Sequence, residues 1–466
     1  MFTRILARFI ADATYEDLPK PAVAAAKRGI LDVVAVTLAG SREPLAGTLR
    51  QLVRDAKYNE EAAVIGGGFK TDAYHAAFIN GAMAHALDYD DVLHLPPLWT
   101  GHPSVAIFPA VLAVAEKRHV SGRELILAYC LGIEVYAKVS LFCGDTPHAN
   151  GWHNTPYKGT MAAAAAVAWL LRLDELQVRR AFGIAASLAG GLRQNFGTMM
   201  KPLHAGIAAR NGAEAALLAE AGITSDENMF EAPLGFKKVF TGEYSDTSVE
   251  IPYGNARITP AQFAACLGNP WNIVSPGLSF KVCPSCRATH FGMDAALGFR
   301  EKLAVDAKHI SEVECRVPNH MESVLFHHNP RTGLEGKFSL EYVLARTLLD
   351  GLPKISDFTD ERVNEARVTE LMGKIEWRSF VPDAGTFGAP EFVIKLDDGA
   401  HFHARVESPR GDPENPVSDE ILIAKYEDCA RSVLQPSVVD QVRDTIMGLE
   451  TLEGLSQLAG LLSKPW

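Results

Sequence analysis

The sequence predicts a mainly α protein: a large all-helical bundle, then a smaller α+β domain, then helices that return to the bundle. Three observations predict it. Ala- and Gly-rich segments of helical periodicity follow one another through residue 265. The pattern breaks at Gly268-Asn269-Pro270-Trp271, after which alternating apolar residues and a turn signal take over. Ser418 then stands as a helix N-cap before helical patterns that run to the C-terminus. The expected boundaries are 1–267 for the bundle, 268–405 for the α+β domain and 406–466 for the return.

Taken in order, the first twenty residues read as a short amphipathic helix carrying Asp12. They hold no small-residue cleavage site behind a long apolar run, so no signal peptide is read. Helices are expected over 22–38, 72–88, 105–117, 123–140, 156–171, 175–189 and 202–221. Gly222 fits the position just past the last of these. Their small residues let helices approach closely, which favours a bundle over a layered sheet. Beyond residue 268, a helix is expected from near Pro284 and a strand over 310–317. Segments 391–396 and 401–407 flank Asp397-Asp398-Gly399 as a hairpin. Residues 409–416 read as a polar loop.

Composition bounds the function. With 466 residues, 47% of them hydrophobic, the chain can bury a large core. A net charge of −11 and the lack of a Lys/Arg-rich run argue against nucleic-acid binding. The longest uninterrupted apolar stretch, 161–171, is shorter than the about 20 residues a bilayer requires, so no membrane partner is expected. Seven scattered Cys suggest free thiols and a cytoplasmic setting. The one CxxC, Cys283 to Cys286, lacks a second pair at zinc spacing, so no metal is expected. There is no GxGxxG, P-loop, GxSxG or HExxH, so no nucleotide or flavin cofactor is expected either.

The chemistry concentrates at four junctions where a Lys or His precedes a Pro: His102-Pro103, His153 before Pro156, Lys201-Pro202 and Lys281 before Pro284. Pro is favoured at helix starts, where free N–H groups and the dipole form an anion site. The residues from each Pro onward are PSVA, PYKG, PLHA and PSCR, without one carboxylate. Some of these starts are therefore expected to face a small polycarboxylate.

Asp88, in the final turn of the 72–88 helix, would have its pKa pushed up by the dipole, which suits an acid or base. Taken alone, an Asp there is more often a cap or turn residue, and Asp90 and Asp91 read as solvated. His85 precedes Asp88 by three residues, on the same face. His102 and His153 can donate to an anion, shuttle a proton or fill a core gap. Lys201 and His204 share a helical face and could meet a carboxylate or enolate oxygen; Lys281 sits in a similar context. Cys286 is a nucleophile or proton donor if a helix start lowers its pKa, or else an inert buried thiol. Tyr157 and His290 complete the candidate binding residues, with His290 and Asp294 spaced for a structural hydrogen bond.

In combination, NGAMAHALDYDD (80–91), GHPS (101–104), GWHNT (151–155), KPLHAGIAARNGAEAA (201–216), KVCPSCRATHFGMDAA (281–296) and PRTGLEGKFSLEYVLA (330–345) resemble the MmgE/PrpD family along nearly the whole chain. That family includes 2-methylcitrate dehydratase, cis-aconitate decarboxylase and iminodisuccinate epimerase. The resemblance implies a helical domain with a smaller α+β lid, an active site between them, a homodimer, and no metal, iron–sulfur cluster or nucleotide. It carries Asp88, His102, His153, Lys201 and Lys281 over as pocket positions. Two positions depart from its pattern: Val92 stands where the lyases have Thr, and Cys286 where the decarboxylase has a second His. The implied chemistry is proton movement at carbon beside a carboxylate. A lyase acting on methylcitrate- or aconitate-like acids leads, ahead of an epimerase of a dicarboxylate such as iminodisuccinate. A non-catalytic, polyanion-binding dimeric scaffold is the third reading.

Overall fold

The computed structural model describes residues 1–463 apart from 99, 304–305 and 384–385. It is mainly helical. The helices expected in the first half form at Lys20–Gly40, Ala73–His85, Ser104–Arg118, Gly122–Cys143, Asn154–Leu170, Glu175–Leu188 and Met200–Glu220. The opening helix, Phe2–Asp12, buries Phe2, Leu6 and Ile10, and Phe2 stacks on Phe142 and Phe263. Gly222 takes φ +95° just past Glu220, a conformation that would strain any other residue.

Small residues set the helix crossings that matter for the site. A Cβ on Gly206 would fall 2.2 Å from the Phe78 carbonyl oxygen, and one on Gly81 would fall 2.9 Å from Gly206 Cα. Helices Ala73–His85 and Met200–Glu220 therefore touch through their backbones. That contact brings His85, at the end of one, close to Lys201 and His204 at the start of the other.

Helix Gly122–Cys143 is long and apolar enough to cross a membrane, but 94% of its apolar window is buried inside the fold. It also carries a buried ion pair, Lys138 to Glu134 at 3.1 Å. Glu134 accepts from the backbone N–H groups of Gly268 and Asn272 at 3.0 and 2.8 Å. The break in sequence pattern is thus pinned to helix Gly122–Cys143 by one buried carboxylate.

Buried apolar side chains form two clusters. The first runs from Phe2 to Phe280 and resumes with Val417 to Leu462. The second takes Cys283 to Phe402, joined by Phe196 from the first half of the chain. The final helices, Asp419–Arg431, Pro436–Met447 and Ser456–Leu462, contribute to the first cluster, and Lys425 pairs with the buried Asp32 at 2.6 Å. Ser418 caps the first of them by accepting from the Ile421 N–H.

The second cluster rests on a four-stranded sheet in the order 401–405, 391–396, 310–318, 375–380. Strand Ile310–Pro318 turns Ile310, Val313, Cys315 and Val317 inward, and pairs antiparallel with Glu391–Leu396. Glu391–Leu396 and His401–Arg405 form the expected hairpin. Strand Ile375–Phe380, parallel to Ile310–Pro318, was not anticipated: it is an edge strand whose polar residues hide its alternation. The helix expected near Pro284 begins only at His290, after a 3₁₀ turn over Arg287–Thr289.

Candidate active site

The site is organised around the loop that leaves helix Ala73–His85. Asp88 sits three residues past the helix end at φ 52°, in the left-handed region that non-glycine residues rarely adopt. Side chains from distant segments hold the loop by its carbonyls. Leu87 O accepts from Lys337 Nζ, Asp88 O from Lys281 Nζ and Tyr89 O from Lys425 Nζ, each at 2.7 Å. Asp91 O accepts from His102 Nδ1 at 2.9 Å.

Around that loop, three of the four Lys/His–Pro junctions converge. Pro103 caps helix Ser104–Arg118, His153 caps Asn154–Leu170, and Lys201 is the second residue of Met200–Glu220. None of these first turns holds a carboxylate. The fourth junction, at Pro284, starts no helix, yet Lys281 reaches the same point. The Asp88 carboxylate bridges Lys281 Nζ at 2.7 Å and Lys201 Nζ at 2.8 Å, with His102 Nε2 3.8 Å away. Lys201 Nζ in turn lies over the rings of Phe338 and Phe196, at 4.7 and 5.2 Å from their centroids.

Asp90 forms the second charge centre. Its oxygens lie 2.9 Å from His85 Nδ1 and 2.8 Å from His102 Nδ1. Acceptors at both Nδ1 atoms assign the proton there, which leaves each Nε2 as the reactive nitrogen. His85, Asp88, Asp90 and His102 lie close enough together to hold a cation. Ammonium groups already occupy both Asp88 oxygens, and imidazole nitrogens both Asp90 oxygens, so a metal would have to displace them.

The electrostatics revise several expectations. Burial alone would raise the Asp88 carboxyl, but Lys201, Lys281 and the nearby histidines hold it well below the usual range. Asp88 lies beyond the helix, so the dipole argument for a raised pKa fails, and it stays ionised at neutral pH. Burial opposes charge on Lys281, but Asp88 and Asp90 outweigh it and raise its pKa, keeping a buried ammonium. Burial and neighbouring cations push His85 and His204 down to about 4 and His153 well below its normal value, so these rings are neutral. Asp90 and Asp91 are buried rather than solvated. Burial and Asp32 push Asp91 well up, and its carboxyl meets Ser104 Oγ at 2.5 Å.

The remaining candidates divide. His153 Nδ1 and His204 Nδ1 are 3.1 Å apart, and the His153 ring stands edge-on to Phe196. Cys286 lies within electrostatic range of Asp88, Lys201 and Lys281; burial and Asp88 raise its thiol pKa rather than lower it. His290 is fully buried within range of Lys281 and Asp88, but the expected bond to Asp294 does not form. Asp294 accepts instead from the Arg410 N–H at 2.7 Å. Tyr157 is not brought to the cluster: its ring stacks on Phe240, 4.8 Å away, in the helical core. Sequence reasoning missed Lys337, Asp90, Phe196 and Phe338. Lys337 and Phe338 lie inside the segment 330–345, where nothing in the sequence ties them to Asp88.

Comparisons with known proteins agree with this reading. The profile of the MmgE/PrpD N-terminal domain matches residues 4–247, and that of the MmgE/PrpD C-terminal domain matches residues 283–450. Mouse cis-aconitate decarboxylase is 29% identical over 453 residues, covering 94% of this chain and 88% of that protein. The human cis-aconitate decarboxylase is also 29% identical, over 94% of this chain and 90% of its own length. The Aspergillus terreus cis-aconitate decarboxylase is 28% identical, covering 99% of this chain and 96% of that protein.

Proposed function

The chain belongs to the MmgE/PrpD family, and from that premise we propose that it is a cofactor-independent carboxy-lyase acting on an aconitate-like tricarboxylate. The observation that carries the reading is the buried Lys201–Asp88–Lys281 bridge with His102 beside it. A bound tricarboxylate would meet two lysines held in place by one aspartate. Decarboxylation breaks the C–C bond to a carboxylate, CO₂ leaves, and the electron pair spreads into the adjacent unsaturated acid. The dienolate oxygens then carry added charge, which preorganised ammonium groups stabilise, each contributing roughly 10²–10³ in rate.

A proton must next reach carbon. His102 is the proposed donor: with its Nδ1 proton held by Asp90 and the Asp91 carbonyl, Nε2 first takes up a proton and the imidazolium then delivers it to carbon. Asp88 acts as counter-ion to the lysines rather than as the acid. The neutral His153–His204 pair can relay a proton behind it. Cys286, a protonated thiol, stands where the decarboxylase pattern has His and becomes a second hydrogen-bond donor to the substrate.

The same reading takes the second apolar cluster as a lid (268–405) over the helical domain (1–267 with 406–466), the protein as a homodimer, and its setting as cytoplasmic. The test is incubation of the purified protein with cis-aconitate and related acids in D₂O, followed by NMR and CO₂ measurement. CO₂ release with deuterium in the product supports the carboxy-lyase. Water loss from a hydroxy acid with a new alkene signal selects the dehydratase. Loss of optical rotation without net conversion selects the epimerase, and silence across the panel selects the scaffold.

A further inference from the structure

Lys337 is a buried lysine beside Phe338 of the second apolar cluster, and no carboxylate among the described residues pairs with it. Its Nζ donates to Leu87 O at 2.7 Å, the carbonyl directly before Asp88. Its own carbonyl accepts from the Cys286 N–H at 2.8 Å. The next residue, Phe338, puts its ring 4.7 Å from Lys201 Nζ. One dipeptide thus touches the aspartate loop, the cysteine segment and one of the two lysines on Asp88. Among the described residues that ammonium meets one carbonyl acceptor, and a buried ammonium with N–H donors unmet is costly. Burial accordingly pushes Lys337 down to about 8, with Lys281 and Lys201 contributing and Glu43 and Asp88 opposing.

We propose that Lys337 is a positioning residue, whose bond to the Leu87 carbonyl holds Asp88 in its left-handed conformation between Lys201 and Lys281. The physical need is specific. Asp88 at φ 52° has a better alternative in ordinary backbone space, and the loop keeps its strained form only while the flanking carbonyls are tied. Lys281 and Lys425 tie the carbonyls of Asp88 and Tyr89 from residues outside the second cluster. Lys337, next to Phe338 of that cluster, ties the loop to it, so the ion bridge is held with the two clusters docked. The kinetic consequence rests on the carboxy-lyase reading above; the structural consequence does not.

The test uses two variants of the full chain. Lys337→Met fills the same space without the donor, and Lys337→Ala leaves a hole the size of a small amine. Amide hydrogen exchange of segment 86–91 should speed at least tenfold in Lys337→Met, with exchange in helix Gly122–Cys143 unchanged. With cis-aconitate, kcat should fall 10- to 100-fold while KM stays within about threefold, since the residue does not touch substrate. Added methylammonium should restore part of the rate in Lys337→Ala and none in Lys337→Met. Native exchange in 86–91, or a native kcat in Lys337→Met, overturns the proposal. A wild-type protein silent toward cis-aconitate overturns the functional reading instead, and the exchange measurement still decides the role of Lys337.

Discussion

Asp88 is a buried anion whose two oxygens are each occupied by a lysine from a different part of the chain. Removing one side of such a grouping leaves uncompensated buried charge, which costs about 3–5 kcal/mol. Asp88→Asn is therefore expected to lower unfolding free energy by that amount in urea denaturation; a loss under about 1 kcal/mol would mean the lysines find other partners. Cys286 makes a contrary case. Burial and Asp88 raise its pKa, so the native thiol should resist iodoacetamide at pH 7 and react fully once unfolded, as mass spectrometry would record. The residue types were legible in the sequence, but their ionisation was not. The Asp88 expectation failed because helix Ala73–His85 stops three residues early and two lysines, 113 and 193 positions away, outweigh any dipole. Lys337 was invisible for the same reason: its acceptor lies 250 positions away.

At the scale of elements, the site depends on helices that meet without side chains between them. Gly206 is the tightest such point in the pair that carries His85 and Lys201. A methyl group there would collide with the Phe78 carbonyl, and overpacking of this kind costs about 1–3 kcal/mol. Gly206→Ala should lower Tm and reduce activity together, because separating the helices also moves Lys201 from Asp88. An unchanged Tm would show that the crossing has slack. The seven helices expected in the first half could be read from periodicity to within a few residues, whereas Pro44–Ala56 and Leu340–Asp350 were not read, and Ser418 and Gly222 mark ends in the structure as in the sequence. Strand Ile375–Phe380 could not, because it is defined by its parallel pairing with Ile310–Pro318 rather than by its own pattern. The late start of the helix at His290 is a local failure of the Pro rule: the CPSC segment is used to carry Lys281 and Cys286 past Asp88 instead.

For the whole molecule, the histidines dictate how stability responds to acid. His85 and His204 have folded-state values near 4, while an unfolded His titrates near 6.5. Between these values the unfolded chain binds more protons, so stability rises with pH across the window and is lost as pH falls from 6.5 toward 4. Each such histidine contributes up to about 1.4 kcal/mol per pH unit there. Asp88, depressed in the fold, adds a further loss at lower pH, once acidification reaches its unfolded-state value and continues toward the folded one. Melting temperature should therefore fall steeply below pH 6 and change little between pH 7 and 8; a flat profile from pH 7 to 5 would mean the rings are not buried neutral. The first cluster runs past the change of pattern at Gly268 as far as Phe280, and nothing in the sequence marked Phe196 as a member of the second. Among the described residues, Phe196 crosses from the first half of the chain into the second cluster, where it packs on His153 and lies under Lys201.

The central claim is that lysines far apart in sequence form one receptor for a multiply charged acid. Calorimetric titration of propane-1,2,3-tricarboxylate, a saturated analogue, into the wild-type protein and Lys201→Ala tests it directly. Measurable binding to the wild type and at least tenfold weaker binding to the variant, with its melting transition retained, is the expected result. Equal affinity in the two proteins would contradict it.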